Sequence, residues 1–237
     1  MLKRLWLTVP IALLLLTACS VVQGSGKVVT EQRRVTDFNQ VDLNSVGEMI
    51  VTQGETYSLT IEAEENILPL LETKVENHRL VIGLSDNVAV NLSQPIRFWV
   101  TMAEVDGLAV SSSGEISAET LESEQLALDV SGSGTIAIGQ LVVDSLDVTI
   151  DGSGEIELSG QAAHQTVAVS GSGQYRAAGL TSSSADVDSS GSGEVVVWVN
   201  DTLAAHLSGS ANVAYYGDPV VRSELLGSGV VTGLDGR

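Results

Sequence analysis

The sequence predicts an all-β fold, a single-stranded parallel β-helix (β-solenoid) with about 18–20 residues per coil. Three observations lead there. A serine followed by glycine or alanine recurs seven times at nearly constant spacing. Apolar residues alternate with polar ones on both sides of each recurrence. Aromatic residues make up 4% of the chain while 43% of it is hydrophobic, so the core must be built from Val, Leu, Ile and Ala. Such side chains suit thin β-layers.

The recurring pairs are Ser113-Gly114, Ser133-Gly134, Ser153-Gly154, Ser172-Gly173, Ser192-Gly193, Ser210-Ala211 and Ser228-Gly229, at intervals of 18 to 20 residues. Glycine precedes every serine but the first. Two residues after each pair come Ile116, Ile136, Ile156, Tyr175, Val195, Val213 and Val231. Four before the second small residue lie Val110, Val130, Ile150, Val169, Ser189, Leu207 and Leu225. Period two on both sides of a glycine-containing corner reads as strand–corner–strand. A further apolar point, Leu121, Leu141 and Leu180, marks a short third side. One such unit cannot bury its inward face alone, but stacked copies can. Glycine at the corner permits positive φ without the steric cost of a Cβ. The serine row is positioned to pass hydrogen bonds from coil to coil or to cap the corner backbone.

Residues 1–18 read as a lipoprotein signal peptide. Lys3 and Arg4 form a positive start, an apolar run follows, and Leu16-Thr17-Ala18-Cys19 places small residues before a cysteine. The apolar run is too short for a transmembrane helix. Cys19 is the sole cysteine of the chain, so no internal disulfide forms. The pattern resembles the lipobox of bacterial lipoproteins, which implies cleavage between Ala18 and Cys19 and lipidation of Cys19. Membrane anchorage through an N-terminal lipid follows, with residues 19–36 as the lipidated N-terminus and tether. The expected location is extracytoplasmic, at the cell membrane or the outer membrane.

Without Lys3 and Arg4, the exported part carries 9 basic and 30 acidic residues, a net charge of −21. This balance argues against nucleic acid and anionic headgroups as partners. It suits cation-rich surroundings or a basic partner.

The folded domain is expected over residues 37–232. Residues 109–232 hold the regular repeats, and 37–108 hold irregular early coils and a cap, since an open solenoid end is an unpaired edge. Short β-runs occur at residues 41–43, 49–51, 58–61, 79–82 and 96–100, with a hairpin over 74–84 around Asn77-His78. Ser45-Val46-Gly47-Glu48 is related to the repeat but lies too far away in sequence to be its next copy.

Phe38-Asn39-Gln40-Val41, Ser45-Val46-Gly47, Val51-Thr52-Gln53-Gly54-Glu55, residues 61–66 and the Gly-Ser-Gly ladder together resemble the putative auto-transporter adhesin, head GIN domain family. The resemblance covers roughly residues 37–232. It implies a β-helical fold and an extracytoplasmic bacterial protein, and it carries over no catalytic residues.

No catalytic, cofactor or metal site is expected. Glu115, Thr135, Glu155, Gln174, Glu194 and Asn212 form one row after the corner, in which acids alternate with neutral residues. Interleaving avoids like-charge repulsion between neighbouring strands. A polysaccharide-acting enzyme would draw on Glu115, Glu155 or Glu194, because the first two, two coils apart, approach the carboxylate separation of inverting glycosidases. Asp129, Asp147, Asp151, Asp186 and Asp188 are the oxygen ligands available to calcium. His78, His164 and His206 fall at unrelated repeat positions. Trp198, Tyr215 and Tyr216 serve either as core and cap residues or as sugar-stacking groups. The leading expectation is a non-enzymatic protein for adhesion or envelope interaction, with an envelope glycan or protein as partner. The alternatives are a carbohydrate-active or polysaccharide-binding protein and an accessory domain of an envelope stress or signalling system.

Overall fold

The computed structural model describes residues 20–86 and 88–235. Ala18, Cys19 and the signal segment lie outside the described residues.

The predicted solenoid is present. Strands Glu115–Gly132, Thr135–Gly152, Glu155–Gly171, Gln174–Gly191 and Glu194–Gly209 are each nearly a whole coil. Each pairs in parallel with the coil before and after it, and equivalent repeat residues stand in register: Ile116 on Ile136, Ile136 on Ile156, Ile156 on Tyr175 and Tyr175 on Val195. Within one coil, Ile136, Ile138, Leu141, Val143, Leu146, Val148 and Ile150 are buried. Steps of two are interrupted by two steps of three, so the coil turns twice between successive Ser-Gly corners and has three sides. The expected short third side corresponds to Leu141–Val143. Departures from regular register fall after Ile138, Glu157 and Ala177, and again after Ser182, so the turns absorb the variation in coil length.

The two glycines of each Gly-Ser-Gly corner answer different demands. The first holds a left-handed backbone, with φ of 118° at Gly152 and 114° at Gly191. The second is buried beneath the preceding coil. A Cβ on Gly134 would stand 2.3 Å from Val110 Cγ1, a distance no side chain accommodates.

The N-terminal third joins the same stack out of sequence order. Strand Gln40–Asn44 lies between Gly107–Val110 and Arg79–Leu84, and strand Glu48–Gln53 lies between the start of the Glu115 coil and Arg97–Met102. Ser45-Val46-Gly47 therefore sits directly beneath the Ser113-Gly114 corner, with Glu115 N donating to Gly47 O at 2.9 Å. This corrects the sequence reading, which placed it too far off to be the next copy. The intervening chain, which runs out through the cap and back, separates the two corners in sequence but not in space.

The cap itself is antiparallel. Strand Ser58–Glu64 lies between Arg97–Met102 and Val28–Arg33, and Leu71–Glu76 pairs with Arg79–Leu84. The last pair turns at Asn77 and His78, both with positive φ, as a two-residue hairpin demands.

The segment expected to be a tether folds onto the cap instead. Ser20–Gln23 pairs in parallel with Val88–Asn91, and Val28–Arg33 joins the cap sheet. Glu64 fixes the connection between them. Its buried carboxylate accepts hydrogen bonds from Gly26 N at 2.6 Å, from Ser93 N at 3.1 Å and from the Ser93 hydroxyl. The Ser93 hydroxyl bond, with help from these backbone amides, holds the Glu64 carboxyl below its ordinary value although burial opposes this.

Candidate functional surface

Because the coils keep register, every outward residue belongs to a row that climbs the solenoid. The row expected after the corner is continuous: Glu115, Thr135, Glu155, Gln174, Glu194 and Asn212 stand on one another. It extends further than the sequence indicated. Glu48 lies beneath Glu115, and Arg97 beneath Glu48. Glu48 and Glu115 are thus direct like-charge neighbours, and Arg97 offsets them by reaching Glu48 and Glu62, each at 3.2 Å. Arg176 Nη1 similarly meets Glu155 at 3.0 Å. Basic companions do exist beside the glutamates, but singly and at different heights, so sequence spacing does not reveal them.

The serine row runs along the exposed outer edge of the corner: Ser113, Ser133, Ser153, Ser172, Ser192, Ser210 and Ser228 are all exposed. Contact between coils here is carried by the backbone. Ser153 N donates to Gly132 O at 2.8 Å, Ser192 N to Gly171 O at 2.8 Å and Ser228 N to Gly209 O at 2.7 Å. The inward partners Gly114, Gly134, Gly154, Gly173 and Gly193 are buried, while Gly229 in the last coil is partly exposed. Beside the corner, two hydroxyl bonds between coils come from serines two residues earlier, Ser111 to Asp42 and Ser170 to Asp151, both at 2.9 Å.

The aspartates do not converge. Asp147 and Asp186 share a row but are separated by Thr166, and Asp129 and Asp188 by Thr149 and Ala168. Asp151 faces Ser131 and Ser170. Partial burial, assisted by Asp42, pushes the Asp129 carboxyl up, while Arg79 and Thr149 act in the opposite sense. Among the described residues no group of three His, Cys, Asp or Glu side chains is placed to hold a metal. The histidines are scattered as expected. His78 bonds the Asp37 carbonyl oxygen, His164 the Ser184 hydroxyl, and His206 lies 3.5 Å from Glu224.

Trp198 and Tyr216 stack across neighbouring coils, with ring centroids 5.9 Å apart and both rings half-buried. Tyr215 packs against the end of the core. A surface hollow of about 750 Å³ lies where the cap chain rejoins the coils. Glu104, Asp106, Glu122, Glu124 and Asp147 line it. Gln53 braces its floor by bonding both the amide and the carbonyl of Glu122.

One polar chain inside the core escaped sequence reasoning. The Tyr175 hydroxyl donates to Gln165 Oε1 at 2.6 Å, Gln165 Nε2 to Ser182 Oγ at 2.8 Å, and Ser182 Oγ to Trp198 O at 3.0 Å. The only sequence signal was tyrosine in a row otherwise occupied by isoleucine and valine. Full burial pushes the Tyr175 phenol far up, so it is a permanent donor.

Fold and surface together define a capped, three-sided parallel β-solenoid with acidic outer rows. The chain belongs to the putative auto-transporter adhesin, head GIN domain family, whose sequence profile matches residues 37–219. A putative adhesin from Bacteroides fragilis is 25% identical, with a TM-score of 0.82 over 90% of this chain and 98% of its own. A putative lipid binding protein from Parabacteroides distasonis is 21% identical, with a TM-score of 0.76 over 91% of this chain and 100% of its own. A putative adhesin from Parabacteroides merdae is 22% identical, with a TM-score of 0.73 over 91% and 99%. The last two likenesses concern the fold alone. No curated protein matches the sequence.

Proposed function

We propose that this chain is an extracytoplasmic lipoprotein, anchored through Cys19, whose solenoid is a non-catalytic surface for adhesion or cell-envelope interaction. The observation that carries the reading is the in-register stacking. It turns a repeated sequence into rigid outward rows that gather the acidic residues into an extended negative surface and an acidic hollow beside the cap. Adhesin-family membership supports a surface location and a binding role. A positively charged segment of an envelope protein, or a glycan carrying amines, is the matching partner, because complementary fields speed encounter and fix orientation. The lipid at Cys19 would hold the solenoid at a membrane, and two or more acyl chains suffice for stable anchoring.

Affinity capture with the full-length lipidated protein, from intact envelopes and on glycan and peptidoglycan arrays, tests the reading. The expected result is a partner whose retention falls as salt rises. Failure to retain any envelope component would overturn it. So would turnover of a polysaccharide that is abolished when Glu115, Glu155 and Glu194 are changed to Gln.

A further inference from the structure

The two ends of the solenoid are finished differently. At the N-terminal end, the antiparallel outer strands Val28–Arg33 and Leu71–Glu76 cover the stack, and they carry Glu31, Arg33, Glu72, Lys74 and Glu76. Charged side chains on an edge discourage further pairing. At the other end the last coil, strands Val220–Gly227 and Val230–Gly233, pairs among the described residues only with the coil before it.

The last coil also leaves its apolar residues uncovered. Leu225 stands on Leu207 in the inward row, yet Leu225 is 46% exposed and Leu207 3%. Val220 and Leu226 flank the strand at 65% and 68% exposure. Among the described residues no strand pairs with the second edge of Val220–Gly227.

We propose that this edge pairs with its own copy, joining two molecules tail to tail about a twofold axis through Ser223. The strand reads the same way in both directions. Register against the preceding coil turns Val221, Ser223 and Leu225 inward and Val220, Arg222, Glu224 and Leu226 outward. In an antiparallel pair centred on Ser223, Arg222 faces Glu224 of the second copy, Val221 faces Leu225, and Val220 faces Leu226. Each opposed pair lies on one side of the sheet, as antiparallel pairing requires. The inward rows of both molecules thereby become continuous, and two ion pairs form on the outer face. Arg222 has no ion-pair partner among the described residues, so the second copy's Glu224 is its natural one. An isologous contact of this kind closes on itself. The capped, charged opposite end gives no route to a filament, and the product is a dimer. Dimerisation does not depend on the adhesion reading.

The experiment uses the full-length chain in detergent, followed by sedimentation equilibrium over a micromolar range. The expected result is a dimer. Arg222→Glu places like charges opposite each other twice and should raise the dissociation constant about tenfold or more. The exchanged variant Arg222→Glu/Glu224→Arg should restore it. Ser223→Cys in a Cys19→Ala background should cross-link to itself under mild oxidation, because opposed Cα atoms about 4.5–5.5 Å apart are within disulfide reach. Unchanged circular dichroism separates loss of pairing from loss of fold. A wild-type monomer throughout the range, or a charge exchange that fails to restore a dimer lost in Arg222→Glu, would overturn the proposal.

Discussion

Gly154 sits against Val130 of the preceding coil so closely that a Cβ on Gly154 would lie 2.2 Å from Val130 Cγ1. The same contact repeats between Gly134 and Val110, Gly173 and Ile150, and Gly193 and Val169. One coil departs from the pattern, and both of its members change together. Ala211 replaces the glycine, and by the same register the residue it meets is Ser189, where other coils carry Val, Ile or Leu. The smaller serine makes room for the alanine methyl.

Gly154→Ala should therefore lower stability by about 1–3 kcal/mol through overpacking, measured by urea unfolding. Ser189→Val should be destabilising for the same reason in the natural chain and should recover when Ala211→Gly is added. Ser189→Ala should be neutral or stabilising, because the Ser189 hydroxyl is buried without a hydrogen-bond partner among the described residues. Additive effects of Ser189→Val and Ala211→Gly would show that the two residues do not meet.

The corner serine and the glycine before it should respond in opposite ways. Ser153→Ala removes an exposed hydroxyl that bonds nothing among the described residues, so its effect should stay within about 0.5 kcal/mol. Gly152→Ala forces a side chain into a φ of 118° and towards the Gly132 carbonyl oxygen, 2.7 Å from the added Cβ. A loss of more than about 1 kcal/mol is expected. Thermal unfolding of the two variants decides between a serine ladder held by hydroxyls and one held by backbone.

Tyr175→Phe should cost about 1–3 kcal/mol, because Gln165 Oε1 then stays buried without its donor. Replacing Gln165 with Leu in the same molecule should cost less than the sum of the two single changes, since the pair acts as one unit. A double-mutant cycle by chemical denaturation reads the coupling directly.

The N-terminal strands should loosen in acid. The Glu64 carboxyl lies below its ordinary value of 4.5, mainly through the Ser93 hydroxyl bond. A depressed folded value means that its contribution is complete above about pH 4.5 and is lost as pH falls through the folded value. Amide hydrogen exchange over residues 20–33 should rise there, ahead of the coils. Glu64→Gln should raise exchange in this segment at neutral pH and remove the acid-dependent step.

The solenoid was legible because its constraint is local and repeated. Alternation around Ser-Gly identifies the inward residues, and glycine marks both the left-handed turn and the close approach. The cap was legible only as β-rich sequence. Gln40–Asn44 and Glu48–Gln53 belong to coils completed by residues nearly seventy positions later, and no sequence period records such a pairing. The Glu48–Glu115 neighbours, Arg97 beside Glu48 and the acidic hollow all arise from these long-range meetings. The buried role of Glu64 was not legible, because its partners Gly26 and Ser93 lie 38 and 29 residues away on either side.

By itself, the sequence determined the parallel solenoid, its coil length, its inward rows, its acidic character and its family. Those features follow from side-chain period and composition, which every coil states anew. The tertiary structure alone decided that Ser45–Gly47 lies beneath the first regular corner, that residues 20–33 are bound to the cap, that backbone amides rather than the corner hydroxyls join the coils, and that the last coil pairs on one side among the described residues. Each of these depends on which distant segment fills the space beside a strand, and that choice is settled by packing and hydrogen-bond completion over the whole molecule.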